Sequence, residues 1–302
     1  MAAITRANIA KQLLPGLNAI FGVEYGSVDN EDEALFVTEN SERAFEEEVL
    51  FTGFGTAPTK QEGAAVEYDN AQEQWTARYT METIALAFSI TEEAMEDNLY
   101  DTFAKVRAKA LARAMANTEQ VKGANVFNNG FLNAFAGGDN VAFFSASHPT
   151  LAAGLQSNTL AVDLSETAIE NSLINISLFK DDRGILIGAK GVSLHIPPQL
   201  QFVAERILKS QNRAGTADND VNAMRNKGML PGGYTLNHRF TDSNAWFLKT
   251  DVPNGAKKFI RVPLQTKMEP DFDTGNLRFK ARKRFVHGFS DWRGYLGSSG
   301  ST

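Results

Sequence analysis

From Trp75 onward, apolar and polar residues alternate. Trp75, Ala77, Tyr79 and Met81 fall on one side and Thr76, Arg78, Thr80 and Glu82 on the other. After a change of phase at Glu82–Thr83, the apolar positions are Ile84, Leu86, Phe88 and Ile90. A period of two predicts a strand with one buried face, and the change of phase predicts a bulge or bend. The partner strand is placed at "EEEVLFTGF", Glu46–Phe54, across the turn-rich "GTAPTKQEGAAVEYDNA". Extended throughout, Gln74–Ile90 would span about 56 Å at ~3.3 Å per residue, against a usual strand of about 5–6 residues. Such a hairpin either overhangs its own domain and lies on another copy of the protein, or divides into two shorter strands that fold back into one compact sheet.

Thr91, followed by Glu92 and Glu93, reads as a helix N-cap. The helix is expected over Leu99–Phe127, about 44 Å at ~1.5 Å per residue. Leu99, Phe103, Val106, Ala110 and Ala114 are assigned to its apolar face, Lys105, Arg107, Lys109 and Arg113 to the others, and Asn128–Gly130 to its stop. Residues 1–45 show little period, and the acidic run Asp29–Glu33 reads as a solvated arm.

Residues 151–255 alternate helices with strands, which predicts a separate α/β layer domain. Ser165 caps a helix facing inward through Ile169, Leu173 and Ile176. "DDRG" is a turn, and "ILIG" and "VSLHI" are short buried strands. A second helix faces inward through Leu200, Val203, Ala204, Ile207 and Leu208. "KGMLPGGYTLN" is a loop, with strand-like pieces after it near Phe240, at "AWFL" and at "KFIRVP". Alternation returns through Leu277, Phe279, Ala281 and Phe285, with Arg278, Lys280, Arg282, Lys283 and Arg284 between or beside them. Aromatics among basic residues can stack on nucleic acid, but the core and solvent faces of one strand are the commoner origin. The closing "GSSGST" is expected to be floppy unless tied down.

Length, 302 residues, suggests two domains. The net charge of −6 conceals a division. Residues 1–100 hold 5 Lys+Arg against 19 Asp+Glu, a net of −14, and the rest holds 25 against 17, a net of +8. The two parts can lie on each other within one chain, or dock between copies. With no cysteine there are no disulfides, thiolate nucleophiles or cysteine metal sites. No signal segment and no apolar run long enough to span a bilayer is found, so the chain reads as soluble and made in the cytoplasm.

"FFSASHPT", Phe143–Thr150, is the strongest catalytic candidate: Ser145 or Ser147 as nucleophile with His148 as base. It lacks the Gly-x-Ser-x-Gly elbow, and Pro149 pushes His148 out of helical geometry. "GILIGAKG", Gly184–Gly191, fails as a phosphate loop because three residues separate its glycines and Ala189 parts Gly188 from Lys190. His148, His195, His238 and His287 carry no zinc spacing. His195 reads as a satisfied core residue, and Asp271–Asp273 as a turn before Gly275. No catalytic, cofactor or metal residue is implied.

Taken in order, these stretches resemble the major capsid proteins of tailed bacteriophages, which have the HK97 fold. "EGAAVEYD" (Glu62–Asp69) resembles the family's hairpin segment and "SITEEAMEDNLYDTF" (Ser89–Phe103) the lead-in to its spine helix. "FNNGF" with "FFSASHP" resembles the end of that helix and the loop beyond. "NDVNAMRNKGMLPGGY" and "FTDSNAWFL" resemble parts of its axial domain, and "DFDTGNLRFKARKRFVHGFSDWRG" its closing segment. The resemblance covers most of residues 40–297. It implies an α+β chain with an N-terminal arm (1–45), an E-loop hairpin (46–88), a peripheral domain with the spine helix (89–150), an axial domain (151–255), and returning strands with a tail (256–302).

The same resemblance implies a structural shell subunit rather than an enzyme. Pentamers and hexamers would enclose double-stranded DNA through sparse, non-specific contacts, in a virion assembled in the host cytoplasm. Portal and a separate scaffold or decoration protein would be partners, and no membrane. Lys60, Glu62, Trp75, Arg78, Tyr79, Arg278, Lys280, Arg282 and Arg284 are the candidate inter-subunit contacts. Some relatives crosslink a hairpin lysine to a neighbour's asparagine; Lys60 lies in that region but reads as a solvated loop lysine. The rival readings are an encapsulin-like compartment and a serine hydrolase built on Ser147 or Ser145 with His148.

Overall fold

Alternation at the two ends of the chain becomes one sheet. The computed structural model describes residues 6–91, 93–94, 100–212, 221–226 and 228–301, with side chains for all of these except 6–15, 100–103 and 226. Its N-terminal elements are α1 (Arg6–Gly26), α2 (Asp32–Leu35), β1 (Val37–Asn40), β2 (Phe45–Phe51), β3 (Glu73–Thr80), β4 (Glu82–Ile90) and the long helix α3 (Tyr100–Asn128). Next come the two-residue strands β5 (His148–Pro149), β6 (Leu155–Gln156) and β7 (Thr159–Leu160), then α4 (Glu166–Ser177), β8 (Gly191–Ile196), α5 (Gln201–Lys209) and α6 (Ala223–Asn226). The chain closes with β9 (Tyr234–Leu236), β10 (Trp246–Thr250), β11 (Ala256–Pro270), β12 (Leu277–Phe289) and β13 (Tyr295–Ser298).

Residues 73–90 do not form one long finger strand. The phase change is where the chain leaves one sheet for another: β3 pairs with β2 in a two-stranded ribbon, while β4 joins the four-stranded sheet β1-β11-β12-β4. The stretch divides into two shorter strands, as the second alternative expects, but they join two different sheets. In the four-stranded sheet Leu277 lies opposite Ile90, Phe279 opposite Phe88 and Lys283 opposite Ile84. Opposed residues share a face, so Leu277, Phe279, Ala281 and Phe285 bury against α3 and α1. Arg278, Lys280 and Arg282 point to the other face and are exposed.

The long helix forms where its alanines and its asparagine-rich stop place it, but its buried face differs from the expected one. Ala104, Ala108, Leu111, Ala112 and Met115 face the sheet, while Val106 is 61% exposed and Ala110 is also exposed. Alanines let the sheet approach closely, so the small residues, not the large ones, mark the contact. Thr91 Oγ1 accepts the Ala94 N–H at 3.4 Å. Glu92 and Leu99 lie outside the described residues, as does the side chain of Phe103.

The N-terminal segment is a helix, not an arm in solvent: Leu17 and Phe21 of α1 are buried in the core that α3 and β12 share. Pro15 and Gly16 interrupt any helical reading of the sequence there. The acidic run is likewise anchored, with Glu31 on Arg239 at 2.7 Å and Asp32 buried.

A second sheet, β7-β13-β10-β8-β9, is built from strands within residues 159–250 and the chain's last strand. Ser165 caps α4 as expected, accepting the Ala168 N–H at 3.1 Å. β8 is buried, but "ILIG" is not a strand: Ile185, Leu186 and Ile187 are exposed, in a loop closed by the isolated bridge Lys180–Leu186 and by hydrogen bonds of Ile185 with Asp181 and of Ile187 with Phe179. Tyr234–Leu236, expected in a loop, is β9, paired with β8; Phe240 lies in a turn. The closing glycine–serine segment is tied down, since Gly297 and Ser298 pair with both β10 and β7.

Phe127, at the end of α3, joins the two halves. Its ring meets Phe36, Phe143, Phe144, Phe240, Phe247 and Tyr295, all within 6.2 Å between centroids. Phe127→Ala should lower stability by about 3–5 kcal/mol, measured by urea unfolding; a loss under ~1 kcal/mol would mean the two halves do not share this core.

Candidate assembly surface

The hydrolase candidate resolves first. Phe143 and Phe144 are core residues. His148 is buried, stacked on Trp292 at 4.5 Å and 8°. Its Nδ1 faces Asp139 Oδ2 at 2.6 Å and its Nε2 faces Asn158 Oδ1 at 3.0 Å. Asn158 is itself fixed, donating to the carbonyls of Phe143, Trp292 and Tyr295. Both ring nitrogens are occupied, so His148 does not serve Ser145 or Ser147 as a base. "FFSASHPT" is a structural joint that ties the loop after α3 to the chain's last strands. His195 is also structural: burial, aided by the Lys249 ammonium, lowers its pKa to about 3, and it sits between Ser193 and Thr235.

The candidate contact residues divide into three groups. Lys60 and Glu62 lie in the exposed stretch between β2 and β3. Trp75 and Tyr79 turn inward and hold the ribbon on its own body. Trp75 Nε1 donates to Ser290 O at 3.5 Å, and the Tyr79 hydroxyl meets Ser290 Oγ. That placement buries Tyr79 away from any neighbour and leaves Trp75 half-buried. Alternation alone could not say whether their face met the chain's own body or another's. Arg78 lies on the other face of β3, 4.3 Å over the Phe45 ring and 3.7 Å from Glu47.

Arg278, Lys280 and Arg282 line the uncovered face of β12, beside Gln265, Lys267 and Glu269 of β11 and the small residues Ala85, Ala87 and Ser89 of β4. Arg278 is steadied by Asp271 at 2.5 Å in the β11–β12 turn. Arg284 continues the row but is half-buried. The result is a basic sheet face that none of the described residues covers. Opposite in charge is the tip of the ribbon, where Glu62, Glu67, Asp69 and Glu73 outnumber Lys60. Phe51, Phe54, Val66 and Tyr68 are exposed on the same segment, Tyr68 by 93%.

A buried ionic cluster, for which the pattern of residues carries no signal, fixes the N-terminal segment. Glu119 of α3 accepts from Lys258 and Lys283 Nζ, both at 2.5 Å, and from the Tyr25 hydroxyl at 2.6 Å. Asp32 Oδ2 meets Lys258 Nζ at 3.3 Å and His287 Nε2 at 3.1 Å. Gly123 makes room for this carboxylate, since a Cβ there would stand 2.5 Å from Asp32 Oδ1. Burial would raise the Glu119 pKa, but the two ammonium groups overcome it and hold the carboxyl at about 2. Burial lowers the pKa of His287, which leaves it a neutral donor to Asp32. Glu24 with Arg113 (2.5 Å) and Glu82 with Lys122 are further pairs between the acidic and basic parts of the sequence. Much of the charge division is thus answered within one chain.

Among the described residues no group of three His, Cys, Asp or Glu could hold a metal ion, and no helix is long and apolar enough to cross a membrane. What the fold presents is an assembly element: an anchored body, a projecting ribbon, and a bare basic sheet face. The profile of the phage capsid protein family matches residues 73–296, and the chain belongs to that family. It is a structural capsid subunit with the α+β HK97-like fold.

Among solved structures, the capsid of a native GTA particle is 15% identical, with a TM-score of 0.56 over 91% of this chain and 92% of that one. The virus-like particle of Pyrococcus furiosus is 8% identical, with a TM-score of 0.53 over 94% and 98%. The procapsid protein of bacteriophage JBD30 is 15% identical, with a TM-score of 0.51 over 98% and 75%. At these identities the likeness shows the fold alone, and the family match favours the phage capsid reading over the encapsulin-like one. Comparison with curated proteins yields no match.

A glutamate held at about 2 rather than 4.5 stabilises the folded state fully above the unfolded value, and this contribution is lost as pH falls through the folded one. Wild type should therefore lose about 3 kcal/mol from this group between about pH 5 and 2. Glu119→Gln should be less stable at pH 7 by about 3–5 kcal/mol and lack that part of the acid dependence. Urea titrations at several pH values check both; parallel pH curves for the two proteins would contradict the assignment.

Proposed function

We propose that copies of this chain form pentamers and hexamers that close into an icosahedral shell around double-stranded DNA. The observation that supports this most is the ribbon tip, residues 53–72, exposed at every position but the half-exposed Gly55, in a chain of the phage capsid family. A two-stranded ribbon is marginal in water on its own. Four large apolar side chains on and beside the tip would each gain roughly 1.5–3 kcal/mol on burial.

In this reading the acidic tip of one copy, with Lys60 and Glu62, lies on the basic face of the next copy's sheet at Arg278, Lys280, Arg282 and the exposed part of Arg284. Charge sets register and on-rate there, and apolar burial supplies affinity. Many weak, repeated contacts then close under symmetry. The division into arm, hairpin, peripheral and axial domains belongs to this proposal. So do assembly in the host cytoplasm, non-specific DNA contacts, and portal, scaffold or decoration partners.

Electron microscopy of the purified protein should show large closed particles. Deleting Gly55–Gln74 should leave folded subunits that do not close, and closed particles from the deletion would remove the ribbon from the mechanism. Reversing Arg278, Lys280 and Arg282 to Glu should abolish closure with little change in melting temperature. If that triple variant assembles normally and only loses nucleic acid, the basic face is a DNA surface instead.

A further inference from the structure

The tip of the ribbon is not free to swing at its root. The regular ladder ends where Thr52 donates to Gln72 O at 2.8 Å and Gln72 donates to Thr52 Oγ1 at 2.9 Å. One residue further out, the side chain of Arg183 reaches both legs. Its Nε donates to Gly53 O at 3.3 Å on the outgoing leg. Its Nη2 donates to Asn70 O at 2.7 Å and pairs with Asp69 Oδ1 at 3.2 Å on the returning leg. Asp69 accepts the Gly55 and Asn70 N–H groups at 2.7 and 2.8 Å, so the legs are also tied to each other. These bonds favour the ionised carboxylate and lower its pKa, those to the two backbone N–H groups most.

Arg183 stands on a rigid support. It belongs to the turn Asp181–Gly184, where Asp181 Oδ1 accepts the N–H groups of Arg183 and Ile185 at 2.9 and 2.8 Å. The preceding residue points the other way. Asp182 is buried, with its carboxylate 2.7 Å from Arg293, whose guanidinium lies 4.6 Å over the Trp292 ring. The Gln74 amide nitrogen, oriented by its partners, donates to both Asp182 oxygens at 3.0 Å. One turn thus grips the core with Asp182 and the ribbon with Arg183.

An exposed ion pair adds little stability, and that is not the role argued here. A planar fork with several donors fixes direction in a way that a single ammonium cannot. We infer that Arg183 is a positioning residue whose guanidinium sets the direction in which the ribbon tip leaves the body, and so the angle at which one copy joins the next. The second half of this inference rests on the shell reading above.

The chain has no cysteine, so spin labels can be placed cleanly at Lys60→Cys on the tip and Asn117→Cys on an exposed turn of α3. In dilute, unassembled subunits, pulsed dipolar spectroscopy should give one narrow distance distribution. Arg183→Gln should broaden it at least ~2-fold without lowering the melting temperature by more than ~2 °C, as expected for loss of a local restraint. Arg183→Lys should fall between. Assembled Arg183→Gln should give open or mixed-size particles.

An unchanged distribution in Arg183→Gln overturns the inference. Broadening with particles as uniform as wild type overturns its link to curvature. If wild type forms no particles, the shell reading fails, and the distance distribution still decides whether Arg183 holds the ribbon.

Discussion

A two-stranded ribbon has two faces and no interior. In this chain the constraint is met only at the root, where Ala77 and Tyr79 of β3 bury against Phe259 of the four-stranded sheet. Beyond Gly53 and before Glu73, every residue is exposed except Gly55, which is half-exposed. The body has no such deficit. α1, α3, both sheets and the C-terminal strand share cores and buried ion pairs within one chain. This projection and the basic sheet face are opposite in charge.

The anchored body explains how a projecting segment can be useful. Glu119, Asp32, Lys258 and Lys283 hold the N-terminal segment, the long helix and the sheet as one unit, and breaking a buried pair is costly. Phe127 then connects that unit to the second sheet. Asp182 and Arg293 extend the rigid part to the turn from which Arg183 reaches the ribbon. Geometry is transmitted from core to projection through side chains that are themselves buried or doubly held.

How much of this was legible in the sequence follows from the physics of each signal. The strands β3, β4 and β12 were, because alternation reports a buried face directly. The stop of α3 and the cap of α4 were, because they depend on local backbone chemistry. The buried stripe of α3 was misread, because alanines marking close approach look weaker than a valine that in fact faces solvent. α1 was hidden by Pro15 and Gly16. The ionic cluster could not be read at all, since Asp32, Glu119, Lys258 and Lys283 come together only through tertiary contacts between residues up to 226 positions apart. For the same reason Tyr79 looked available to a neighbour while its hydroxyl was already engaged with Ser290.

In the proposed shell, other copies cover the segment that the chain's own body leaves bare. Hydrogen exchange compares the two states directly. In unassembled subunits the amides of residues 53–72 should exchange rapidly while those of β8, β10 and α3 are protected. In assembled particles the 53–72 segment alone should gain strong protection. Equal exchange of that segment before and after assembly, or full protection of it in the lone subunit, would contradict the account.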